Sequence, residues 1–133
     1  MLKNLFGSSV SIPTLRLSGV IGQAGMFRSG LTLNSMDKLI EKLFSDKKCP
    51  AIAIIINSPG GSPTQSSLLA EKIISKAKDK KKKVLAFVED VAASGGYWLA
   101  CAADEIYVDQ NSIIGSIGVI SPGFGYVNLL KKI

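Results

Sequence analysis

The sequence predicts an α/β fold built around a mainly parallel sheet. Short apolar segments rich in β-branched residues alternate along the chain with segments whose apolar residues recur at helical spacing. The segment "AIAIII", residues 51–56, is apolar throughout, which is typical of a strand buried on both faces of a parallel sheet. The 133 residues, 47% of them hydrophobic, are enough for one domain with one core.

The predicted elements alternate between strand and helix from one end of the chain to the other. In such a fold, ligands bind at the carboxyl ends of the parallel strands. Strands are expected at residues 12–21 (interrupted at Gly19), 51–56, 84–88, 105–108 and 113–120, and helices at residues 33–44 and 62–80 and from residue 94 onward. Residues 125–133 are an amphipathic ending.

Two helix starts carry recognisable caps. Asn34 or Ser35 is expected to cap the first helix. Ser62 is expected to cap the second, with Pro63 in the first helical position, where its missing N–H costs nothing.

Composition and charge exclude several classes of protein. The longest apolar run, residues 97–103, is far shorter than the roughly 20 residues that span a membrane, and the N-terminus lacks a secretory signal pattern. Much of the net charge of +6 lies in "KAKDKKKK", residues 76–83, which indicates a solvated helix end and turn, with binding to an acidic membrane surface as the alternative. No nucleic-acid partner, cofactor or metal is predicted, and Cys49 and Cys101 are expected to pack in the core.

Two glycine-containing loops follow predicted strands. In "NSPGGSP", residues 57–63, Gly60 and Gly61 permit backbone angles that point amides into a cleft; a plain strand-to-helix turn is the alternative. In "VAASGG", residues 91–96, small residues surround Ser94 at a predicted helix start, where a simple N-cap is the alternative.

Taken together, the two loops predict a nucleophilic serine. Ser94 would attack, and Gly95 with the glycines at positions 60 and 61 could supply amides for the tetrahedral oxyanion. The chain has no histidine, so either a lysine acts as the base or the site has none. The lysines at residues 80–83 are expected to be too hydrated, and Lys131 and Lys132 too close to a fraying end.

Three motifs in this order and spacing resemble the bacterial signal peptide peptidase A family, which includes protease SohB. They are "INSPGGSPTQSS" from Ile56, "DVAASGGYWLACAADEIYVD" from Asp90 and "NSIIGSIGVI" from Asn111. The resemblance implies the fold of the Clp protease and the crotonases, a spiral of ββα units. It also implies a serine peptidase with a Ser-Lys dyad that acts on signal-peptide remnants and other membrane-associated peptides.

The resemblance also implies roles for individual residues. Ser94 would be the nucleophile, and Gly61 and Gly95 would supply the oxyanion amides. A substrate strand would pair along an extended wall. The implied substrate-binding residues are Gly60, Gly115, Ser116, Ile117, Gly118 and Val119.

Two departures from the family pattern shape the expected organisation. Members usually carry an N-terminal membrane anchor, whereas here residues 1–11 are expected to be only a short extension, so either an inner-membrane-associated or a cytoplasmic location is compatible. The family's lysine would fall beyond Ile133 or in another domain, so residues 12–133 are expected to be the N-terminal part of a catalytic domain that is inactive alone. Family members assemble into rings, which implies a homo-oligomer.

Two other functions stay open at this stage. A crotonase-like acyl-CoA enzyme would use the same pair of amides on a thioester without a serine nucleophile. A non-catalytic peptide-binding or assembly module would keep the cleft without cleaving.

Overall fold

The computed structural model of the protein describes residues 11–22, 30–46 and 49–120. These residues form an α/β fold, which confirms the predicted class. The elements, in order, are β1 (Thr14–Ser18), α1 (Leu33–Leu43), β2 (Ala51–Ser58), α2 (Pro63–Lys80), β3 (Lys83–Ala93), α3 (Gly95–Ala100), β4 (Glu105–Val108) and β5 (Ile113–Gly115).

The strands form a parallel sheet in the order β1-β2-β3-β4, and β5 also pairs with β3. β3 is long enough, at 11 residues, to pair first with β4 and then, near its carboxyl end, with β5. The segment that follows β5 therefore begins beside the end of β3.

The core lies between the sheet and the helices. Ile52, Ile54 and Ile56 of β2 are fully buried on one face of the strand, and Leu69 and Ile73 of α2 are fully buried in the same cluster. On the opposite face of β2, Ala53 is buried and Ile55 remains partly accessible, so the expectation of burial on both faces is confirmed at Ala53 and only in part at Ile55.

The helix caps agree with the sequence in one case and differ in the other. Ser62 accepts a hydrogen bond from the Gln65 N–H and Pro63 opens α2, as predicted. For α1 the cap is Thr32, and Ser35 occupies the third helical position, where it completes a capping box. Asn34 and Ser35 are therefore not the cap, because both lie within the first turn of the helix, which begins at Leu33.

The lysine-rich segment is mostly a solvated helix end, as interpreted from the sequence. Lys80 ends α2, and Lys81 adopts a left-handed conformation that terminates the helix. Lys82 is the exception, since it is only 8% exposed and its ammonium donates to the carbonyl oxygen of Asp46.

The two cysteines have different environments. Cys49 is buried, as expected, and its thiol donates to the carbonyl oxygen of Ala51. Cys101 is exposed, so the prediction that it packs in the core is wrong. It follows the short helix α3, and only one side of that helix faces the core.

Some predictions fall on residues that the structure does not describe. Most of the predicted N-terminal extension and all of the amphipathic ending at residues 125–133 lie outside the described residues, so the domain division stays a prediction. Within the described part of the chain, none of the helices combines the length and the apolar character needed to cross a membrane.

Candidate active site

The two glycine-containing loops meet at the carboxyl edge of the parallel sheet. One follows β2 and leads into α2, and the other joins β3 to α3. Because β2 and β3 are parallel neighbours, both loops emerge on the same side. The sequence expectation that they lie together is confirmed.

Ser58 and Ile21 hold the loop after β2 in place. Ser58 is fully buried, and its hydroxyl donates to the carbonyl oxygen of Gly19 and accepts the N–H of Gly60. Ile21 donates its N–H to Gly60 and accepts the N–H of Ser62, at 2.9 and 2.8 Å. These bonds bracket Gly61 and leave its own N–H unused.

The glycines of this loop are required by space as well as by conformation. A Cβ on Gly61 would lie 2.0 Å from the carbonyl oxygen of Ile21, and a Cβ on Gly60 would lie 2.9 Å from the Cβ of Ser94. Their φ angles are +148° and +94°, which side chains rarely adopt. The backbone of the loop therefore lies directly against Ser94.

Ser94 sits on a strained turn between β3 and α3. Its φ and ψ are 52° and −118°, although it carries a side chain. Such a conformation costs about 1–3 kcal/mol and persists only where its surroundings enforce it. Here the N–H of Ser94 donates to the carbonyl oxygen of Gly115 at 2.8 Å.

The hydroxyl of Ser94 does not cap the helix. Ser94 occupies the N-cap position of α3 but makes no side-chain cap hydrogen bond. The alternative that Ser94 is a simple N-cap is therefore wrong, because its hydroxyl makes no hydrogen bond to the helix. Serine nucleophiles on comparably sharp strand-to-helix turns are held with their oxygen exposed.

Gly95 and Gly96 bring α3 close to β2 and α2. A Cβ on Gly95 would lie 2.2 Å from the hydroxyl oxygen of Ser66, and one on Gly96 would lie 2.4 Å from the carbonyl oxygen of Ser58. Within the described residues, the N–H groups of Gly61 and Gly95 donate to no protein acceptor. Neither amide is therefore committed to another described group, and both glycines line the cavity beside Ser94.

A cavity of about 370 Å³ opens beside Ser94. Its walls are the two glycine loops, the outer face of α3 and the segment after β5. The lining residues are Gly61, Pro63, Ser94, Gly95, Tyr97, Trp98, Cys101, Ile117, Gly118 and Val119. A neighbouring cavity adds Ser116 and Ile120.

Several lining residues agree with the sequence expectations and others do not. Ile117 and Val119, predicted to contact substrate, are 83% and 73% exposed at the cavity rim. Gly60 is buried and lines neither cavity. Sequence reasoning missed Tyr97, Trp98 and Cys101. Their spacing along α3 was the available signal, but the side of this short helix that faces the cavity depends on tertiary packing.

No lysine among the described residues lines either cavity beside Ser94. Lys82, the buried one, precedes β3, whereas Ser94 follows it. At about 3.3 Å per residue, a strand of that length separates the two by roughly 35 Å. Lys131 and Lys132 lie outside the described residues.

Comparisons with known proteins identify the class. Residues 76–133 match the model of peptidase family S49. The serine protease SPPA of Arabidopsis thaliana, described as chloroplastic, is 36% identical over 95% of this chain and 21% of its own length. The chain is thus related to peptidases. Its similarity to peptidase family S49 covers residues 76–133, and its similarity to SPPA covers most of the chain.

Two further similarities complete the comparison. The Na(+)/H(+) antiporter NhaA of Brucella melitensis is 54% identical over 92% of this chain, which corresponds to 17% of the antiporter. A ClpP1 mutant from Listeria monocytogenes superposes with a TM-score of 0.49 and 26% identity, over 68% of this chain and 46% of the solved chain. The chain spans 17% of the antiporter and 21% of the serine protease SPPA, so both relatives are much longer than this chain.

Proposed function

We propose that the protein is a serine endopeptidase with Ser94 as its nucleophile. The observation that carries the proposal is the state of the Ser94 hydroxyl, which stands on a strained turn and is not used as a helix cap. Beside it, the N–H groups of Gly61 and Gly95 donate to no acceptor among the described residues. The match to peptidase family S49 favours this chemistry over the crotonase alternative.

The first step would be attack of the Ser94 hydroxyl oxygen on the carbonyl carbon of a peptide bond. The serine proton passes to a general base, and the negative charge develops on the former carbonyl oxygen. The N–H groups of Gly61 and Gly95 would donate to that oxyanion, and such preorganised donors stabilise the transition state more than the ground state.

Collapse of the tetrahedral intermediate would break the C–N bond. The leaving amine takes the proton from the base, and an ester remains on Ser94. Water then attacks this ester with the same base accepting its proton, which releases the second product and restores the serine. The family resemblance implies a lysine as base, outside the described residues.

The substrate would lie as an extended strand along the segment after β5. Ser116, Ile117, Gly118 and Val119 provide backbone groups and apolar side chains at the cavity rim. Gly115 lines neither cavity, and its carbonyl oxygen accepts the N–H of Ser94. Tyr97 and Trp98 would receive an apolar side chain of the substrate. Remnants of signal peptides and other membrane-associated peptides have this character, which agrees with a protein at the inner membrane or in the cytoplasm.

A homo-oligomer is part of the same proposal. β4 and β5 expose Tyr107, Val108 and Ile113, the last of them to 67%, and apolar patches of this kind favour association. Sedimentation equilibrium of the full-length encoded protein should show assembly, and a monomer at high concentration would contradict it.

A fluorophosphonate probe tests the nucleophile directly. The full-length encoded protein should be labelled at Ser94 and should hydrolyse peptides, and Ser94→Ala should abolish both. Ser67→Ala is the matched control, because Ser67 lines neither cavity beside Ser94 and, among the described residues, its hydroxyl donates to Glu71. Thioester turnover without labelling would support a crotonase, and peptide binding without cleavage would support a non-catalytic module.

A further inference from the structure

The register between β2 and β3 changes just before the active-site loops. Ile56 pairs with Val88, but Ser58 pairs with Ala92. Two residues of β2 are therefore matched by four of β3, so β3 carries a bulge of two extra residues around Glu89 and Asp90. Bulges of this kind redirect side chains next to functional sites.

The bulge decides which part of β3 reaches Gly60. With a regular register, Ser58 would pair with Asp90, and Ser94 would project two residues further along the sheet, about 6.6 Å. With the bulge, the Cβ of Ser94 lies next to Gly60. The position of the proposed nucleophile relative to the Gly61 amide thus depends on the two extra residues.

One side-chain hydrogen bond joins β2 to the bulge. The amide nitrogen Nδ2 of Asn57 donates to Oδ2 of Asp90 at 2.7 Å. Asn57 is the single β2 residue between the two registers, and Asp90 is at the centre of the bulge. The bond therefore spans the place where the register changes.

We infer that the Asn57–Asp90 hydrogen bond is a clamp that sets the β3 register and so positions Ser94 against the Gly60–Gly61 loop. Both are positioning residues, since neither lines the cavities beside Ser94. The inference rests on the proposed function for its kinetic consequence, but its structural consequence is independent of catalysis.

Reversal of the pair provides the test in the full-length encoded protein. Asn57→Asp places two carboxylates together, and their repulsion should open the bulge. We expect kcat per folded enzyme to fall on the order of 100-fold, as for an ångström-scale misplacement of a reacting group, with a much smaller change in KM. Adding Asp90→Asn should restore kcat to within about fivefold, because the new amide donates to the new carboxylate. Asp90→Asn alone should be mild, since an amide can still accept from Asn57.

Ser67→Asp is the matched control. The Ser67 hydroxyl donates to Glu71 Oε1 at 3.1 Å on α2, so this variant also brings two carboxylates together, but on a different element from the register change. It should change kcat by no more than about twofold. A loss in Ser67→Asp equal to that in Asn57→Asp, or a double variant no better than Asn57→Asp, would overturn the clamp.

Hydrogen exchange separates this inference from the proposed function. The N–H groups of Ser94 and Ala92 should exchange at least about 10-fold faster in Asn57→Asp and return to the original rate in the double variant. Unchanged exchange in Asn57→Asp would refute the clamp. If Ser94→Ala retains full activity while the exchange pattern appears as expected, the proposed nucleophile is wrong and the clamp stands.

Discussion

Two glycine-containing segments flank Ser94, and they need glycine for different reasons. At Gly60 and Gly61 a Cβ would meet backbone atoms at 2.7 Å or less. At Gly115 and Gly118 the φ angles are also positive, at +116° and +154°, but a Cβ would meet nothing within 4 Å. The first segment is closely packed, whereas the second is open to solvent.

This difference shows what each segment can do. Close packing restricts the Gly60–Gly61 loop to one conformation, so the orientation of the Gly61 N–H is fixed before any ligand binds. Electrostatic stabilisation of a transition state requires such preorganised donors. The open segment after β5 has exposed apolar side chains and backbone groups without a hydrogen-bond partner among the described residues, as addition of a peptide strand requires. The comparison therefore separates a rigid part of the site from a receptive one.

The largest expected effect concerns the general base, which neither glycine segment supplies. No lysine among the described residues lines the site, and the family resemblance implies that the base lies elsewhere in the full-length encoded protein. We therefore expect the 133-residue chain by itself to lack general-base assistance, which is worth about 10²- to 10⁴-fold in rate. A sensitive peptide assay should find no hydrolysis that depends on Ser94. Activity of the isolated chain that disappears in Ser94→Ala would disprove this prediction.

Gly61→Ala should break the rigid segment. The new Cβ would collide with the carbonyl oxygen of Ile21, so the loop must move and its amide must turn. Loss of one such donor should lower kcat of the full-length encoded protein about 10²- to 10³-fold, and overpacking should cost about 1–3 kcal/mol in the free energy of unfolding. Near-normal turnover of a small peptide ester would refute the assignment of Gly61 as an oxyanion donor.

The same substitution at Gly118 sharpens the comparison. Gly118→Ala adds conformational strain of about 1 kcal/mol but no collision. We expect KM for a peptide to rise several-fold, on the order of 1 kcal/mol of lost binding, with kcat little changed. Steady-state kinetics and urea unfolding of both variants provide the check, and equal losses in Gly61→Ala and Gly118→Ala would show that the two segments do not differ as described.

The smallest expected effect lies away from both segments, in the ion pairs between α1 and α2. Lys72 and Lys76 donate to the carboxylate of Glu41 and lower its pKa from 4.5 to about 2. A lowered pKa stabilises the folded state above pH 4.5, and this contribution is lost as the pH falls toward 2. Glu41 is exposed, so the effect is small and screened by salt.

Glu41→Gln should therefore lower the Tm slightly at neutral pH and low salt. The difference from the unmodified chain should shrink as the pH falls below the usual carboxyl value. Thermal unfolding at several pH values measures it, and a difference that grows toward low pH would contradict the assignment of the ion pairs. Activity at the glycine segments should be unaffected.

Local sequence patterns determined the elements of this fold and the composition of its site. Ser62 with Pro63 marked the start of α2, and the apolar segment at residues 51–56 marked β2, because caps and strand patterns depend on neighbouring residues. The motifs around Gly61 and Ser94 pointed to the loops that the structure brings together. The rule that parallel strands present their carboxyl ends at one edge was sufficient to predict that meeting.

Tertiary structure decided the features that depend on residues distant in sequence. The N–H of Ser94 donates to the carbonyl oxygen of Gly115, and the Ser94 hydroxyl does not cap α3. The two-residue shift between β2 and β3 depends on pairing across strands. Cys101 faces the cavity instead of the core because packing against β2 and β3 orients α3. No local pattern encodes these outcomes, since each is set by the free energy of contacts between segments that the chain brings together only on folding.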